Sequence, residues 1–303
     1  MSHRTGIVVI GRNEGERLKL CLDAVARSGL PAVYVDSGST DGSVAAARSR
    51  GLPVVELDPR LPFTAARARN EGFWFFRDLP YVQFVDGDCI LKPDWVEKAC
   101  QFLERHERVA VVCGRLREER PRATVYQLLC DIEWDVPAGE ASACGGIALV
   151  RASAFEGVGG FRAERPCGEE PELCARLRAA GWRICRLPDE MAAHDARMSR
   201  FGQWWRRSQR NGYGYAADRA LWRGESRRAW MWGLGLPLAS LACGVLIGPH
   251  GFALLALYPL QVARLALRGA RPARENWWHA LFLVLGKFPE ALGQLQFLAR
   301  RPR

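Results

Sequence analysis

The sequence lacks any framework for metal ribbons or disulfide staples. Its ten cysteines (21, 89, 100, 113, 130, 144, 167, 174, 185 and 243) form no C-x-x-C pair and follow no regular spacing. That pattern argues against a zinc ribbon, a thioredoxin-type site or a disulfide scaffold, and fits small buried residues of a reducing compartment. There is no internal repeat and no low-complexity tract. Neither G-x-G-x-x-G nor a Walker A sequence follows the first apolar run, where Gly11-Arg12-Asn13-Glu14-Gly15 stands instead. A nucleotidyltransferase with a glycine-rich phosphate loop is therefore disfavoured. The run itself, Ile7-Val8-Val9-Ile10, is too short for the apolar region of a signal peptide, so the catalytic part is expected to stay in the cytoplasm.

Charge is missing where a nucleic-acid binder would need it. The 303 residues carry a formal net charge of +10, yet residues 1–195 hold 26 basic and 29 acidic groups. The whole basic surplus lies beyond Ala196, so no nucleic-acid partner is expected. The second absence is sharper: residues 229–263 contain no Asp, Glu, Lys or Arg. Ala229 to Gly248 gives 20 such residues, about the number a spanning helix requires. Gly251 to Ala263 gives 13, enough only if extended through Leu267, and the pair reads as a membrane hairpin. A third apolar segment, Trp277 to Leu298, is interrupted by Lys287, Pro289 and Glu290 and reads as an interfacial helix. Arginines flank all three, which places both ends of the hairpin in the cytoplasm by the positive-inside rule. The competing reading is a hydrophobic helical subdomain packed on the rest of the chain, which Pro237 and several glycines weaken.

What is present begins with alternation. Apolar runs at Ile7–Ile10, Ala32–Val35, Pro53–Leu57 and Tyr81–Val85 are separated by stretches with helical periodicity, which predicts a mostly parallel α/β sheet. Helices are predicted after an Asn13 N-cap, over Asp41–Arg50 and over Ala65–Phe76. A helix over Pro93–Glu107 and strands over Ala110–Cys113 and Ile147–Val150 follow, then a helix over Glu170–Ala180 and a last strand over Trp182–Leu187; Tyr126–Trp134 has no clear assignment. Ligands of such sheets bind at the carboxyl ends of the strands. Three polar clusters sit there: Arg12-Asn13-Glu14, Asp36-Ser37-Gly38-Ser39 and Asp86-Gly87-Asp88.

Asp86 and Asp88 are two residues apart, so an extended chain points both carboxylates the same way. Hard cations such as Mg2+ or Mn2+ are held by one or two carboxylates together with substrate phosphates. Asp36, ending the second strand, is placed to accept hydrogen bonds from a ribose or base edge. Ser39 and Asp41 read as caps of the helix that follows.

Together these residues resemble the family 2 glycosyltransferases of the GT-A fold. The resemblance is carried by Ile10-Gly11-Arg12-Asn13-Glu14, Val35-Asp36-Ser37-Gly38-Ser39-Thr40-Asp41-Gly42, Ala68-Arg69-Asn70-Glu71-Gly72 and the Asp-Gly-Asp. It continues through Gly145-Gly146, Gly159-Gly160-Phe161 and Gly168-Glu169-Glu170, over roughly residues 5–190. It implies a GT-A domain over 1–225, Rossmann-like with flanking helices, followed by a membrane-associated helical region over 226–303. It further implies a nucleotide-sugar donor held by Asn13, Glu14, Asp36, Arg69 and Asp86, and a Mn2+ or Mg2+ ion on Asp88. Gly145, Gly146 and Glu169 lie near the acceptor in this reading.

Glu170 falls where the family usually has the aspartate that accepts the acceptor proton; it is one methylene longer. His194 is either a further metal ligand or a satisfied structural histidine. Gln203-Trp204-Trp205-Arg206-Arg207 differs in order from the Gln-x-x-Arg-Trp element of processive synthases and reads as a membrane-surface helix. The implied activity is metal-dependent, inverting sugar transfer to a hydroxyl of a lipid-linked or glycan acceptor at the cytoplasmic membrane, with the active site facing the cytoplasm. A catalytically silent membrane-assembly protein that keeps the fold is the main rival.

Overall fold

The computed structural model describes residues 4–165 and 167–300. The chain divides into two compact units, Met1–Arg120 with Glu133–Ala196, and Pro121–Ile132 with Arg197–Arg303. Residues 197–225, which the sequence grouped with the first domain, cluster with the second unit.

The first unit is built on one mixed sheet. Strands β1 (Thr5–Gly11), β2 (Ala32–Asp36), β3 (Val54–Glu56) and β4 (Tyr81–Asp86) are parallel neighbours. They are linked through helices α1 (Glu16–Arg27), α2 (Ser43–Arg48) and α3 (Ala65–Phe75). This half matches the predicted alternation because its central strands β1, β2 and β4 are covered on both faces: Ile7, Val8, Val9, Val33 and Val35 are fully buried.

Beyond β4 the sheet turns mixed. The elements in chain order are β5 (Cys89–Leu91), α4 (Trp95–Arg105), β6 (Val109–Glu118), α5 (Val125–Trp134) and β7 (Gly139–Glu140). Then come β8 (Ala148–Arg151), α6 (Ala152–Gly157), α7 (Glu169–Ala179) and β9 (Arg183–His194). The strand order is β3-β2-β1-β4-β8-β6-β9-β5, with β7 on β9. β8 runs antiparallel to β4 and β6, while β6 and β9 are parallel.

Two pairings place the site. Gly11 lies opposite Asp36 and Ile10 opposite Asp86, so the loops after β1, β2 and β4 open at one end of the sheet. Cys89 pairs with His194 across β5 and β9, which brings His194 beside Asp88. His194 is thus the last residue of a strand that runs seven residues past the predicted end at Leu187, not a residue beyond it. The extension, Pro188 to His194, opens on Pro188-Asp189-Glu190, which interrupts the apolar pattern; pairing of Glu190, Ala192, Ala193 and His194 with β6 carries the strand onward.

The second unit is helical. It holds α5 residues up to Ile132, α8 (Phe201–Ala217), α9 (Arg223–Trp230), α10 (Leu236–Ile247), α11 (Leu257–Arg268), α12 (Ala273–Leu285) and α13 (Lys287–Arg300). A π-helical stretch, Met231–Gly235, joins α9 to α10 and precedes Pro237, which has no N–H to donate to the Gly233 carbonyl in an uninterrupted α-helix. A 3-10 stretch, Pro249–Ala256, leads into α11. Two continuous helices, Arg223–Ile247 and Pro249–Arg268, are long and apolar enough to cross a membrane. Their side chains are largely uncovered: Val245 is 77% exposed and Leu246 81%.

α8 and α13 cross closely, since a Cβ on Gly293 would lie 1.9 Å from the Gln209 carbonyl and one on Gly212 2.0 Å from that of Glu290. The charges that interrupt the third apolar segment, Lys287 and Glu290, pair with each other at 2.6 Å. Gln203 accepts from the backbone N–H groups of Ser199 and Arg200 at 2.9 Å each, so in α8 it serves as a helix-start cap.

Candidate active site

The loops after β1 and β2 are stitched together. The Asn13 N–H donates to Ser39 Oγ at 2.9 Å, Thr40 N–H donates to Asn13 Oδ1 at 2.7 Å, and Gly15 N–H donates to Asp41 Oδ2 at 2.9 Å. Asn13 adopts a positive φ of 56° and is not the N-cap of α1; Gly15 holds that position without a side-chain cap. Asparagine tolerates the left-handed region better than most residues, and its amide here binds a neighbouring loop rather than its own helix. Asp41 does take up the Ser43 N–H at the start of α2, whereas Ser39 is used by Asn13.

A cavity of about 450 Å3 opens over these loops. Its walls include Arg12, Glu14, Ser37, Phe63, Arg69, Asp86, Asp88, Glu169, Glu170 and His194. Five carboxylates therefore face one space. Arg69 reaches three of them from α3, with contacts of 2.8 Å to Asp86, 2.9 Å to Glu169 and 3.4 Å to Glu170. The guanidinium is only 3% exposed. Burial works against its charge, but Asp86, Glu170 and Glu169 more than offset it and hold its pKa above the usual arginine value.

Glu170 sits in the first turn of α7 with its side chain 18% exposed. Burial, opposed by Arg69 and reinforced by the charges of Glu169 and Asp86, pushes its pKa up to about 7. A carboxylate poised near neutrality is suited to take a proton from a hydroxyl.

Asp88 and His194 form the other pole. Their Oδ2 and Nε2 atoms are 3.0 Å apart. Burial raises the Asp88 pKa, yet the hydrogen bond and charge of His194, with the charge of Arg17, bring it below the ordinary value. For His194, burial opposes the charged form, but the hydrogen bond and charge of Asp88 and the charges of Asp86 and Glu118 raise it above the usual 6.5. The His194 Nδ1 atom is buried without a hydrogen-bond partner. Ligand atoms of Asp88, Cys89 and His194 fall within 4.8 Å of one another. The oxygen and nitrogen donors suit Mn2+ or Mg2+, whereas burial holds the Cys89 thiol far above its normal pKa and leaves it a poor ligand for a hard cation.

The fold that carries this cavity has known counterparts. Residues 6–156 match the model of glycosyl transferase family 2. The chain belongs to the family 2 glycosyltransferases. It is 30% identical over 214 residues to the pre-mycofactocin glycosyltransferase of Mycobacterium tuberculosis, an alignment covering 65% of this chain and 44% of that protein. The chain thus matches less than half the length of that relative. Among solved structures it resembles a mannosyltransferase from Pyrobaculum calidifontis in complex with GDP-Man and Mn2+. The TM-score is 0.63 at 20% identity, over 96% of this chain and 87% of that one. It also resembles Staphylococcus aureus TarS 1–349 in complex with UDP, with a TM-score of 0.52 at 14% identity over 99% and 92%. These likenesses are to the GT-A fold.

Within this glycosyltransferase domain the residues singled out by sequence separate into three groups. Glu14, Arg69, Asp86, Asp88, Glu169, Glu170 and His194 all line the cavity. Asp36 does not: it is 2% exposed, and its carboxylate accepts from Tyr34 Oη, Gly38 N–H and Ser39 N–H at 2.9, 2.9 and 2.7 Å. It shapes the loop that presents Ser37. Asn13, Gly145 and Gly146 also lie outside the lining. Gly146 is nevertheless bound to the site by space, since a Cβ there would lie 2.4 Å from an Arg69 nitrogen and 2.5 Å from an Asp86 oxygen.

Arg12, placed by sequence in the first polar cluster but given no role, stacks on Phe63 at 5.1 Å in the cavity wall; sequence reasoning missed Phe63 and Arg17. An arginine in the first turn of a helix, against the macrodipole, was the available signal for Arg17.

Proposed function

We propose that the chain moves a sugar from a nucleoside-diphosphate sugar to an acceptor hydroxyl, with inversion at the anomeric carbon. The observation that carries this reading is the single cavity that gathers Asp86, Asp88, His194 and Glu170, with Glu170 raised to about 7 and Asp88 kept ionised. Glu170 takes the proton from the attacking hydroxyl; a single displacement needs no covalent nucleophile. Asp86, fixed by Arg69, contacts the sugar end of the donor, and Asp36 and Asn13 act by holding the loop against which the nucleotide lies. Asp88 and His194 would hold a divalent cation, Mn2+ or Mg2+, whose charge offsets that developing on the departing diphosphate. The mannosyltransferase and TarS bind GDP-Man and UDP respectively, which supports a nucleotide-sugar donor for this chain.

The acceptor is a lipid-linked molecule or a growing glycan at the cytoplasmic membrane. The two long apolar helices, their uncovered side chains and the arginines at their ends support that location, with the active site on the cytoplasmic side. A screen of nucleotide-sugars with Mn2+ for protection of the full chain against thermal unfolding tests the donor. Selective stabilisation by one nucleotide-sugar is expected, and no stabilisation by any would refute the reading.

A further inference from the structure

Two arginines divide the five carboxylates of the cavity. Arg69 takes Asp86, Glu169 and Glu170, while Arg17 takes Glu14 and Asp88. Asp86 and Asp88, neighbours in one motif, therefore answer to different cations. Arg17 breaks the local rule at its own position, because the first turn of a helix favours acids. Its side chain is folded inward, 20% exposed, with Nε buried and unpartnered. One terminal nitrogen donates to the Asp195 carbonyl at 2.9 Å and lies 3.5 Å from Asp88 Oδ2; the other donates to Glu14. Local preferences give way where a site needs a charge in a particular place.

We infer that Arg17 is a positioning residue of the cation site, competing with a free divalent cation for Asp88 and turning to the diphosphate when donor and cation enter together. The guanidinium is a permanent positive charge beside Asp88 and Glu14, so a second cation meets both repulsion and a carboxylate whose oxygen is engaged. A diphosphate supplies negative charge for both cations and removes that conflict. The site thus takes its cation with the donor and holds it weakly alone. The inference rests on the proposed metal role of Asp88.

The test is Mn2+ binding to the full chain in detergent, read by electron paramagnetic resonance, alone and with inorganic pyrophosphate, UDP or GDP. For the unmodified protein, weak binding of Mn2+ alone and clear tightening by a diphosphate are expected. Arg17→Met should bind free Mn2+ about tenfold more tightly and lose most of the tightening by diphosphate, the sign expected from removing a nearby positive charge. Structural damage would act in the opposite direction. Arg17→Lys, which keeps the charge, should stay near the unmodified values, and Glu14→Gln, which releases the guanidinium toward Asp88, should weaken free Mn2+ binding. Unchanged or weaker Mn2+ binding in Arg17→Met, with normal thermal unfolding, would overturn the inference while leaving the metal role standing. No Mn2+ binding under any of these conditions would overturn both.

Discussion

The two units of this chain handle charge in opposite ways. The first unit covers its apolar side chains and draws charge inward, until five carboxylates and the Arg69 guanidinium share one cavity. The second leaves leucines and valines uncovered along two long helices and carries no formal charge from 229 to 263. An overall composition of 49% apolar and 25% charged residues averages the two and describes neither. Burial of ionised groups is costly unless each finds a partner, so it is tolerated where chemistry requires it. Exposure of apolar surface on this scale is tolerated where the surrounding medium is itself apolar.

The largest expected effect separates the two units by function. Asp88→Ala in the full chain should abolish Mn2+-dependent donor hydrolysis and transfer, and EDTA should do the same to the unmodified protein, while membrane retention is unchanged. Full activity of the variant in chelator would remove Asp88 from the cation site. The complementary manipulation acts on the second unit. High salt should leave the protein in the membrane pellet, because screening weakens the arginine contacts and not hydrophobic insertion, whereas detergent should release it. Release by salt alone would make the second unit a peripheral structure.

Smaller effects sharpen the contrast within the first unit. Gly146→Ala places a methyl 2.4 Å from the Arg69 guanidinium and 2.5 Å from Asp86, so the ion pair must shift. Donor turnover should fall about tenfold or more for even a small misplacement, with a melting temperature close to that of the unmodified chain. Unaltered turnover would show that the Arg69–Asp86 geometry is not needed.

The pH dependence tests Glu170 more finely. As the base it works deprotonated, so kcat/KM should decline as pH falls through about 7. The sign for stability is the reverse of the usual carboxylate case. The folded pKa lies above the ordinary 4.5, so ionisation destabilises the fold progressively between about pH 4.5 and 7. Glu170→Gln should accordingly melt at a slightly higher temperature than the unmodified chain at pH 8 and show no gain at pH 4. A gain confined to low pH would contradict the burial of this group.

Much of this contrast is legible in the sequence, for a physical reason. Strands buried on both faces must be nearly all apolar, so Ile7–Ile10 and Tyr81–Val85 stand out, and the acids that end such strands mark the ligand side. Thirty-five residues without a formal charge are equally plain. What escapes is whatever depends on a partner distant in the chain. Three-residue β5 has no pattern of its own, yet its pairing with β9 sets His194 against Asp88. Asp36 stands out in the sequence as a strand-end acid, but its burial and its three donors depend on how the loop closes. The membership of 121–132 in the second unit is likewise a contact property and leaves no mark in local composition.

In our proposal the cavity of the first unit transfers a sugar from a nucleoside-diphosphate sugar with Glu170 as the proton acceptor. The most direct measurement is release of nucleoside diphosphate by the full chain in detergent, with Mn2+, across a panel including GDP-mannose and UDP-glucose, for the unmodified protein and Glu170→Gln. Release from one donor is expected, with turnover about 10²-fold lower in the variant and donor affinity nearly unchanged. Equal release by both proteins, or pyrophosphate release from a nucleoside triphosphate in place of sugar-nucleotide cleavage, would contradict it.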